Sequence, residues 1–392
     1  MRKIEIHKFK INSLILFILW VMFIAVLLNF KIYSTLYVSY LVVNISYVLF
    51  FFILIFKKNS LPNLNLLGVL IIYFCLSNIN GVITTNELIS LVKYMSLFFV
   101  YTVTYKLLKY KYLTVKALLQ NYFIFILIAV SAYLYQGMDL FINLDIDENR
   151  FYPEWIGGYN QFSFLIGMAV PVGVFIFKPY PYFRLVAIMV LVVAMLLTMS
   201  RGGLLALLFG MLIYKFMTRG LRIKQILWIF IGLILVSAMD NSFLTILVDR
   251  FYESLVAGDM VTKTSGRNFM WEYAWNNIFY ENSTLGLFFG RGIGSFYYEN
   301  FTDPHSTPLL LLWEFGVVGL IFFMIVFIKN YLKLSWKSCD SEQIILKTML
   351  IIILINLSVE SLHFSSQSGW LLAVLLAAVT YKNNNKSGIV SG

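Results

Sequence analysis

The hydrophobic pattern of the chain is a series of continuous apolar runs separated by short polar segments. A helix needs about 20 apolar residues to cross the hydrocarbon of a bilayer, whereas barrel strands show shorter segments of alternating polarity. The pattern therefore predicts an all-α polytopic membrane protein with about twelve transmembrane helices. The predicted spans are 11–30, 36–56, 64–82, 88–105, 117–136, 157–177, 183–199, 202–218, 223–239, 308–328, 345–362 and 367–381.

One long polar stretch, residues 240–307, interrupts this pattern. It divides the predicted bundle into nine helices at 1–239 and three helices with a cytoplasmic tail at 308–392. Within the stretch, 241–255 has the periodicity of an amphipathic helix, and a second helix is predicted from Arg267 to Tyr280. The glycine-rich residues 286–294 predict a tight turn. The stretch is therefore predicted to be one large helical outer loop.

Composition and charge agree with a membrane protein and set its orientation. The chain is 60% hydrophobic and 12% charged, which a soluble domain cannot bury. Its net charge of +11 does not indicate nucleic-acid binding, because the cations lie in short loops between spans. With the N-terminus inside, 22 of the 30 Lys and Arg residues fall on the inner side. This bias predicts that both termini are cytoplasmic and that 240–307 faces outward.

The few outward arginines are the first candidates for chemistry. Arg201 lies between the seventh and eighth spans, Arg267 in the first turn of the second loop helix, and Arg291 in the glycine-rich turn. An arginine in the first turn of a helix is unfavourable, because its charge opposes the helix dipole. It is favourable when an anion binds both the side chain and the free N–H groups of that turn. Since Arg makes bidentate phosphate contacts, a phosphate-bearing lipid is the predicted ligand. The alternatives are a snorkelling anchor for Arg201 and an ordinary exposed loop arginine for Arg291.

His305 is the candidate general base, because histidine titrates near neutrality and this one follows the outer loop. It has no further ligand residues at metal-binding spacing, so neither a metal site nor a cofactor is expected. Asp145-Ile146-Asp147 is interpreted as part of a solvated acidic loop rather than as a metal-binding pair.

Four further polar residues are predicted as supporting or acceptor-binding residues. Tyr159 and Asn160 open the sixth span, where an amide can bind sugar hydroxyls or simply begin a helix. Glu314 and Glu360 are intramembrane carboxylates, which either act in the site or pair with cations such as Lys93. Both alternatives stay open for each residue.

Three stretches together resemble the bacterial O-antigen polymerase and ligase superfamily. The first is Met199-Ser200-Arg201-Gly202-Gly203. The second combines Ser265-Gly266-Arg267 and Trp271 with Leu285-Gly286 and Gly290-Arg291-Gly292-Ile293-Gly294. The third combines His305-Ser306 and Leu309 with Glu314-Phe315-Gly316-Val317-Val318-Gly319-Leu320, where Ser306 stands in place of the usual Asn.

The resemblance implies a metal-independent, inverting glycosyl transfer from an undecaprenyl-diphosphate-linked oligosaccharide. Arg201 and Arg267, with Arg291 as a helper, would hold the diphosphate, and His305 would activate the acceptor hydroxyl. It also implies residence in the bacterial plasma membrane with the active site facing outward. Chain-length regulator and flippase proteins are the partners that it suggests, and nucleic acid is not among them.

Two functions within the superfamily fit these residues. A polysaccharide polymerase would extend O-antigen, capsule or exopolysaccharide chains on a lipid-linked repeat unit, and this is the preferred interpretation. An O-antigen ligase would instead pass the glycan to lipid A core or another acceptor. A lipid-linked oligosaccharide flippase, from another class, needs charged residues along a central path in both leaflets, and the sequence has few. A non-catalytic scaffold is the remaining alternative.

Overall fold

The fold of the described residues is helical apart from one short β-hairpin and the connecting turns. In this computed structural model the structure describes residues 13–21, 24, 31–33, 36–56, 85–143, 159–176, 180–198, 200–219, 267–280, 283–296, 304, 306–333, 341–359 and 367–387. The elements are β1 (Lys31–Tyr33), β2 (Leu36–Tyr37), α1 (Val38–Phe56), α2 (Thr85–Lys109), α3 (Val115–Asn143), α4 (Tyr159–Ile176), α5 (Pro181–Leu197), α6 (Arg201–Arg219), α7 (Arg267–Phe279), α8 (Thr284–Phe289), α9 (Thr307–Lys333), α10 (Ser341–Val359) and α11 (Gln367–Ser387). β1 and β2 pair antiparallel, with Lys31 opposite Tyr37.

Nine of these helices lie where apolar runs predicted spans, namely α1 to α6 and α9 to α11. Residues 13–21, within the first predicted span, are also helical. Among the described residues, three segments are long and apolar enough to cross a membrane: Val115–Tyr135, Thr307–Leu332 and Ser341–Ser358. The third and ninth predicted spans and the predicted helix at 241–255 lie outside the described residues. The total of twelve spans therefore stays a prediction.

Small residues bring α4, α6 and α10 close together. A Cβ atom on Gly203 of α6 would lie 1.8 Å from Ser163 Oγ of α4. A Cβ atom on Gly210, two turns further along α6, would lie 2.4 Å from Ile352 Cγ1 of α10. Close backbone approach of this kind is typical of membrane helices, which have no hydrophobic driving force between them and depend on packing.

A polar network joins α2, α9, α10 and α11 toward the ends that are predicted to be cytoplasmic. Tyr101 Oη donates to Thr380 Oγ1 at 3.1 Å, and Thr380 Oγ1 donates to Asn330 Oδ1 at 3.2 Å. Lys382 forms an ion pair with Glu342. The ion pair joins the start of α10 to the last turns of α11.

The first turns of α9 are the centre of a second, smaller hydrophobic core. Leu310, Leu312 and Trp313 of α9 pack there with Ala274 and Ile278 of α7 and with Phe296. Gly316, with φ 65° and ψ −168°, interrupts the helical conformation of α9 just beyond this core. The initial segment of α9 is therefore packed against α7 and Phe296, while the segment after Gly316 continues the apolar run.

Candidate functional site

The glycine-rich turn begins later than the sequence predicted, because α8 occupies its first residues. Ser283 caps this helix by accepting a hydrogen bond at its Oγ from the Gly286 N–H, at 3.1 Å. The helix ends at Gly290, whose φ is 79°, and Gly292 and Gly294 also have positive φ. These are conformations that L side chains disfavour, so the turn itself spans Gly290 to Gly294.

The turn is bound to α9 at the kink of that helix. The Arg291 N–H donates to the Trp313 carbonyl at 2.8 Å, and the Gly292 N–H donates to the Glu314 carbonyl at 3.2 Å. Both carbonyls immediately precede the non-helical Gly316. The turn therefore supplies donors to buried carbonyls at the place where the helix is interrupted.

The guanidinium of Arg291 is held between α7 and α9. Its Cζ lies 4.4 Å from the centroid of the Trp313 ring, and its Nη2 donates to the Asn277 carbonyl at 3.1 Å. Phe296 and Tyr273 contact the same indole, with ring centroids at 5.0 Å and 6.4 Å. Arg291 was predicted as a diphosphate ligand, and these contacts fix the direction of its side chain.

Glu314 is 2% exposed and is bound by groups from two other parts of the chain. Tyr94 Oη of α2 donates to its Oε2 at 2.5 Å, and the Gly294 N–H also donates to this carboxylate. Lys93 lies near enough to attract it electrostatically. Lys93 is one of the cations that the sequence offered as partners of Glu314, and an ion pair between them stays a prediction. Sequence reasoning did not single out Tyr94, whose only signal was its place beside an intramembrane lysine.

Arg201 and Arg267 each occupy the first position of a helix, α6 and α7 respectively. Ser200 caps α6, because its Oγ accepts from the Gly203 N–H at 3.3 Å. The side chains of both arginines lie outside the described residues. Their backbone positions place each of them beside the free N–H groups of a helix N-terminus, where anions are favoured.

Asn160 and Tyr159 are the first two residues of α4, and their side chains lie outside the described residues. Position 160 shares a helical face with Ser163 and Gly167, by the i, i+3, i+7 spacing. That face packs against α6, since a Cβ atom on Gly203 would meet Ser163. Asn160 is thus placed on the side of α4 toward the helix that begins with Arg201.

His305 and Glu360 lie outside the described residues, but both sequence neighbours of His305 are described. Pro304 and Ser306 are buried at the start of α9. The Trp271 Nε1–H of α7 donates to the Pro304 carbonyl at 2.9 Å. This bond joins the helix that begins with Arg267 to the residue next to His305.

The long apolar helices and the polar residues between them define a helical membrane protein. Residues 186–324 match the model of the protein family described as O-antigen ligase, which confirms the resemblance to the O-antigen polymerase and ligase superfamily. The match runs from within α5 to beyond the kink in α9, and it includes Arg201, Arg267, Arg291, His305 and Glu314. A search of curated proteins found no match.

Proposed function

We propose that the protein is a polysaccharide polymerase that transfers a glycan from an undecaprenyl-diphosphate carrier onto a lipid-linked repeat unit. The observation that carries the proposal is the hydrogen bond from Trp271 to the Pro304 carbonyl. It joins the α7 helix, which begins with the candidate diphosphate ligand Arg267, to the neighbour of the candidate base His305. A leaving diphosphate and an acceptor hydroxyl must meet at one sugar carbon, so their ligands must lie close together.

The proposed reaction is a single displacement with inversion at the donor sugar. His305 takes the proton of the acceptor hydroxyl as the acceptor oxygen bonds to the anomeric carbon. The bond from that carbon to the diphosphate breaks, and the arginines stabilise the charge that develops on the departing diphosphate. In this scheme Arg201 and Arg267, with help from Arg291, have the role that a divalent cation has in many phosphate-handling sites. Asn160, Tyr159 and Glu360 are proposed to support the acceptor side.

The proposed setting is the bacterial plasma membrane, with twelve spans, cytoplasmic termini and an outward site. Helix contacts support the alternation of spans. Ser163 of α4 meets Gly203 of α6 near the N-terminal ends of both helices, as expected for even-numbered spans that start outside. Tyr94 of α2 and Glu314 of α9 likewise meet about two to three turns after each helix begins. The two contacts support the shared direction that the cation asymmetry predicts for the helices of each pair.

An O-antigen ligase is the second candidate, because the family description that matches residues 186–324 carries that name. A ligase needs the same diphosphate ligands and the same base. It differs in its acceptor, which would be lipid A core or another acceptor rather than a lipid-linked repeat unit. Chain-length regulator and flippase proteins are the proposed partners of the polymerase.

The deciding experiment incubates purified protein with a defined lipid-diphosphate repeat unit and sizes the products on a gel. A ladder made by the wild type and by His363→Ala, but not by His305→Ala, supports the polymerase and its base. A ladder that survives in His305→Ala would remove the base assignment, and a ladder lost on adding EDTA would remove the metal-independent mechanism. A single transfer, made only onto added lipid A core, would identify the ligase. Movement of labelled lipid across vesicles without any transfer would identify a flippase.

A further inference from the structure

We infer that Tyr94 of α2 is a positioning residue for the turn that carries Arg291, and that it acts through Glu314. We call the three residues Tyr94, Gly294 and Glu314 the Glu314 junction. Tyr94 lies outside the family-matched residues 186–324. The test of this inference by kcat rests on the proposed function. The test by amide hydrogen exchange rests on the structure alone.

The Glu314 junction joins three separate parts of the chain. Tyr94 Oη and the Gly294 N–H both donate to the Glu314 carboxylate, the first at 2.5 Å. The Tyr94 ring also packs edge-on against Phe315, with centroids 5.0 Å apart. Ile293, fully buried in the turn, packs with Tyr94 in a small core. The end of the turn is therefore fixed to α2 as well as to α9.

The turn is attached at both of its ends, and the Glu314 junction provides one of the two attachments. Arg291 and Gly292 bind the carbonyls of α9 at one end of the turn, and Gly294 binds the Glu314 side chain at the other. Arg291 belongs to the first attachment, and Gly294 lies three residues further along the turn. Loss of the second attachment leaves the turn without its bond to the carboxylate that Tyr94 orients, so we expect the backbone that carries the Arg291 guanidinium to be less restricted.

The polar character of the Glu314 junction favours positioning over simple stability. A buried carboxylate is unfavourable unless it is paired and hydrogen-bonded, and apolar side chains of similar volume would stabilise such a contact as well. A satisfied polar network specifies one geometry, whereas apolar packing tolerates several. Since Glu314 is 2% exposed, it has no surface to present to a substrate. Its effect on a reaction must pass through the turn.

The first test compares Tyr94→Phe with Tyr101→Phe, which removes a phenolic hydrogen bond from the same helix at a distance from the turn. Groups oriented for the transition state affect kcat more than KM. We expect Tyr94→Phe to lower kcat by about 10-fold or more, with KM changed less than about 3-fold, since misplaced ligands have effects of this order. Tyr101→Phe is expected to keep wild-type kcat. Equal kcat values in the two variants, at equal unfolding temperatures, would overturn the inference.

A double-mutant cycle tests whether Tyr94 acts through Glu314. Residues that act through one shared bond give non-additive effects. The loss of kcat in Tyr94→Phe with Glu314→Gln is expected to be close to that of Glu314→Gln alone. Tyr101→Phe with Glu314→Gln is expected to be additive. Additive losses in the Tyr94 cycle would show that the two residues act separately and would overturn the inference.

Amide hydrogen exchange of residues 290–296 gives a measurement that needs no substrate. Tyr94→Phe is expected to raise exchange at the turn, and Tyr101→Phe is not. If the wild type makes no polysaccharide, the proposed function fails, and this measurement alone still decides the inference. Unchanged exchange at the turn in Tyr94→Phe would overturn the inference even in a fully active polymerase.

Discussion

Gly290 and Gly316 lie against each other where the turn after α8 meets α9, and neither has room for a side chain. A Cβ atom on Gly316 would lie 2.6 Å from the Gly290 nitrogen and 2.4 Å from the Phe288 carbonyl oxygen. A Cβ atom on Gly290 would lie 2.4 Å from the Glu314 carbonyl oxygen. Both glycines have positive φ. The backbone at the kink in α9 therefore packs directly against the backbone of the turn after α8.

Gly316→Ala is expected to separate α8 from α9 and to lower the stability of the protein. The new methyl group meets backbone atoms, which cannot move away as a flexible side chain can, and φ of 65° is itself strained for alanine. Overpacking and strain of this kind each destabilise by about 1–3 kcal/mol. The measurement is the thermal unfolding midpoint in detergent, together with glycosyl transfer.

Gly167→Ala is the control, because its Cβ atom would lie 3.4 Å from the flexible end of Met195 within the regular helix α4. Replacing a helical glycine by alanine stabilises by up to about 1 kcal/mol. An unfolding midpoint for Gly316→Ala as high as that for Gly167→Ala would contradict the close contact.

Gly203→Ala is expected to move the start of α6 away from α4, because the added Cβ atom would lie 1.8 Å from Ser163 Oγ. That shift changes the position of Arg201, two residues earlier, so we expect a loss of activity of about 10-fold or more. The swap Ser163→Gly with Gly203→Ala removes the obstructing side chain and is expected to restore much of the activity. A swap no more active than Gly203→Ala would argue against this contact as the cause.

Trp271→Phe removes the donor that binds the Pro304 carbonyl while keeping an aromatic ring in place. We expect lower kcat with little change in unfolding temperature, because the His305 segment loses its attachment to α7. Trp275→Phe, one turn further along α7 and half exposed, is the matched control and is expected to keep wild-type kcat. The ratio of the two kcat values is the measurement, and a ratio near one would contradict the attachment.

Arg291→Lys is expected to lower both activity and stability although the charge is kept. Lysine lacks the planar fork that lies against Trp313 while donating to Asn277. The cation–π contact contributes about 0.5–2 kcal/mol, which sets the expected loss of stability. Arg184→Lys, at the start of α5, serves as the control. If the two variants unfold at the same temperature, the contact with Trp313 contributes nothing measurable.

Hydropathy predicted the positions of most described helices, because the length of an apolar run follows directly from bilayer thickness. It could not predict the kink in α9. Apart from Glu314, residues 308–328 are apolar on both sides of Gly316, so hydropathy gives no sign of a change in backbone conformation. The unusual φ of Gly316 depends on the close approach of Phe288 and Gly290, which hydropathy does not describe.

The sequence limits the candidate partners of Glu314 to a few residues but does not identify which of them binds it. Burial of a carboxylate in an apolar run predicts a partner, and Lys93 was one of several cations that qualified. Which helices are neighbours depends on packing between segments 220 residues apart. Tyr94 was missed because tyrosine is common in membrane proteins as an interface residue, so its presence in a span carries little information.

The hydrogen bond between Tyr94 and Glu314 affects how hybrids that exchange the family-matched segment of this chain should be built. If only the family-matched residues 186–324 are exchanged, position 314 comes from one protein and α2 comes from the other. The turn would then lose its attachment even if every candidate catalytic residue came from an active protein. A hybrid that exchanges residues 186–324 should therefore transfer α2 together with them.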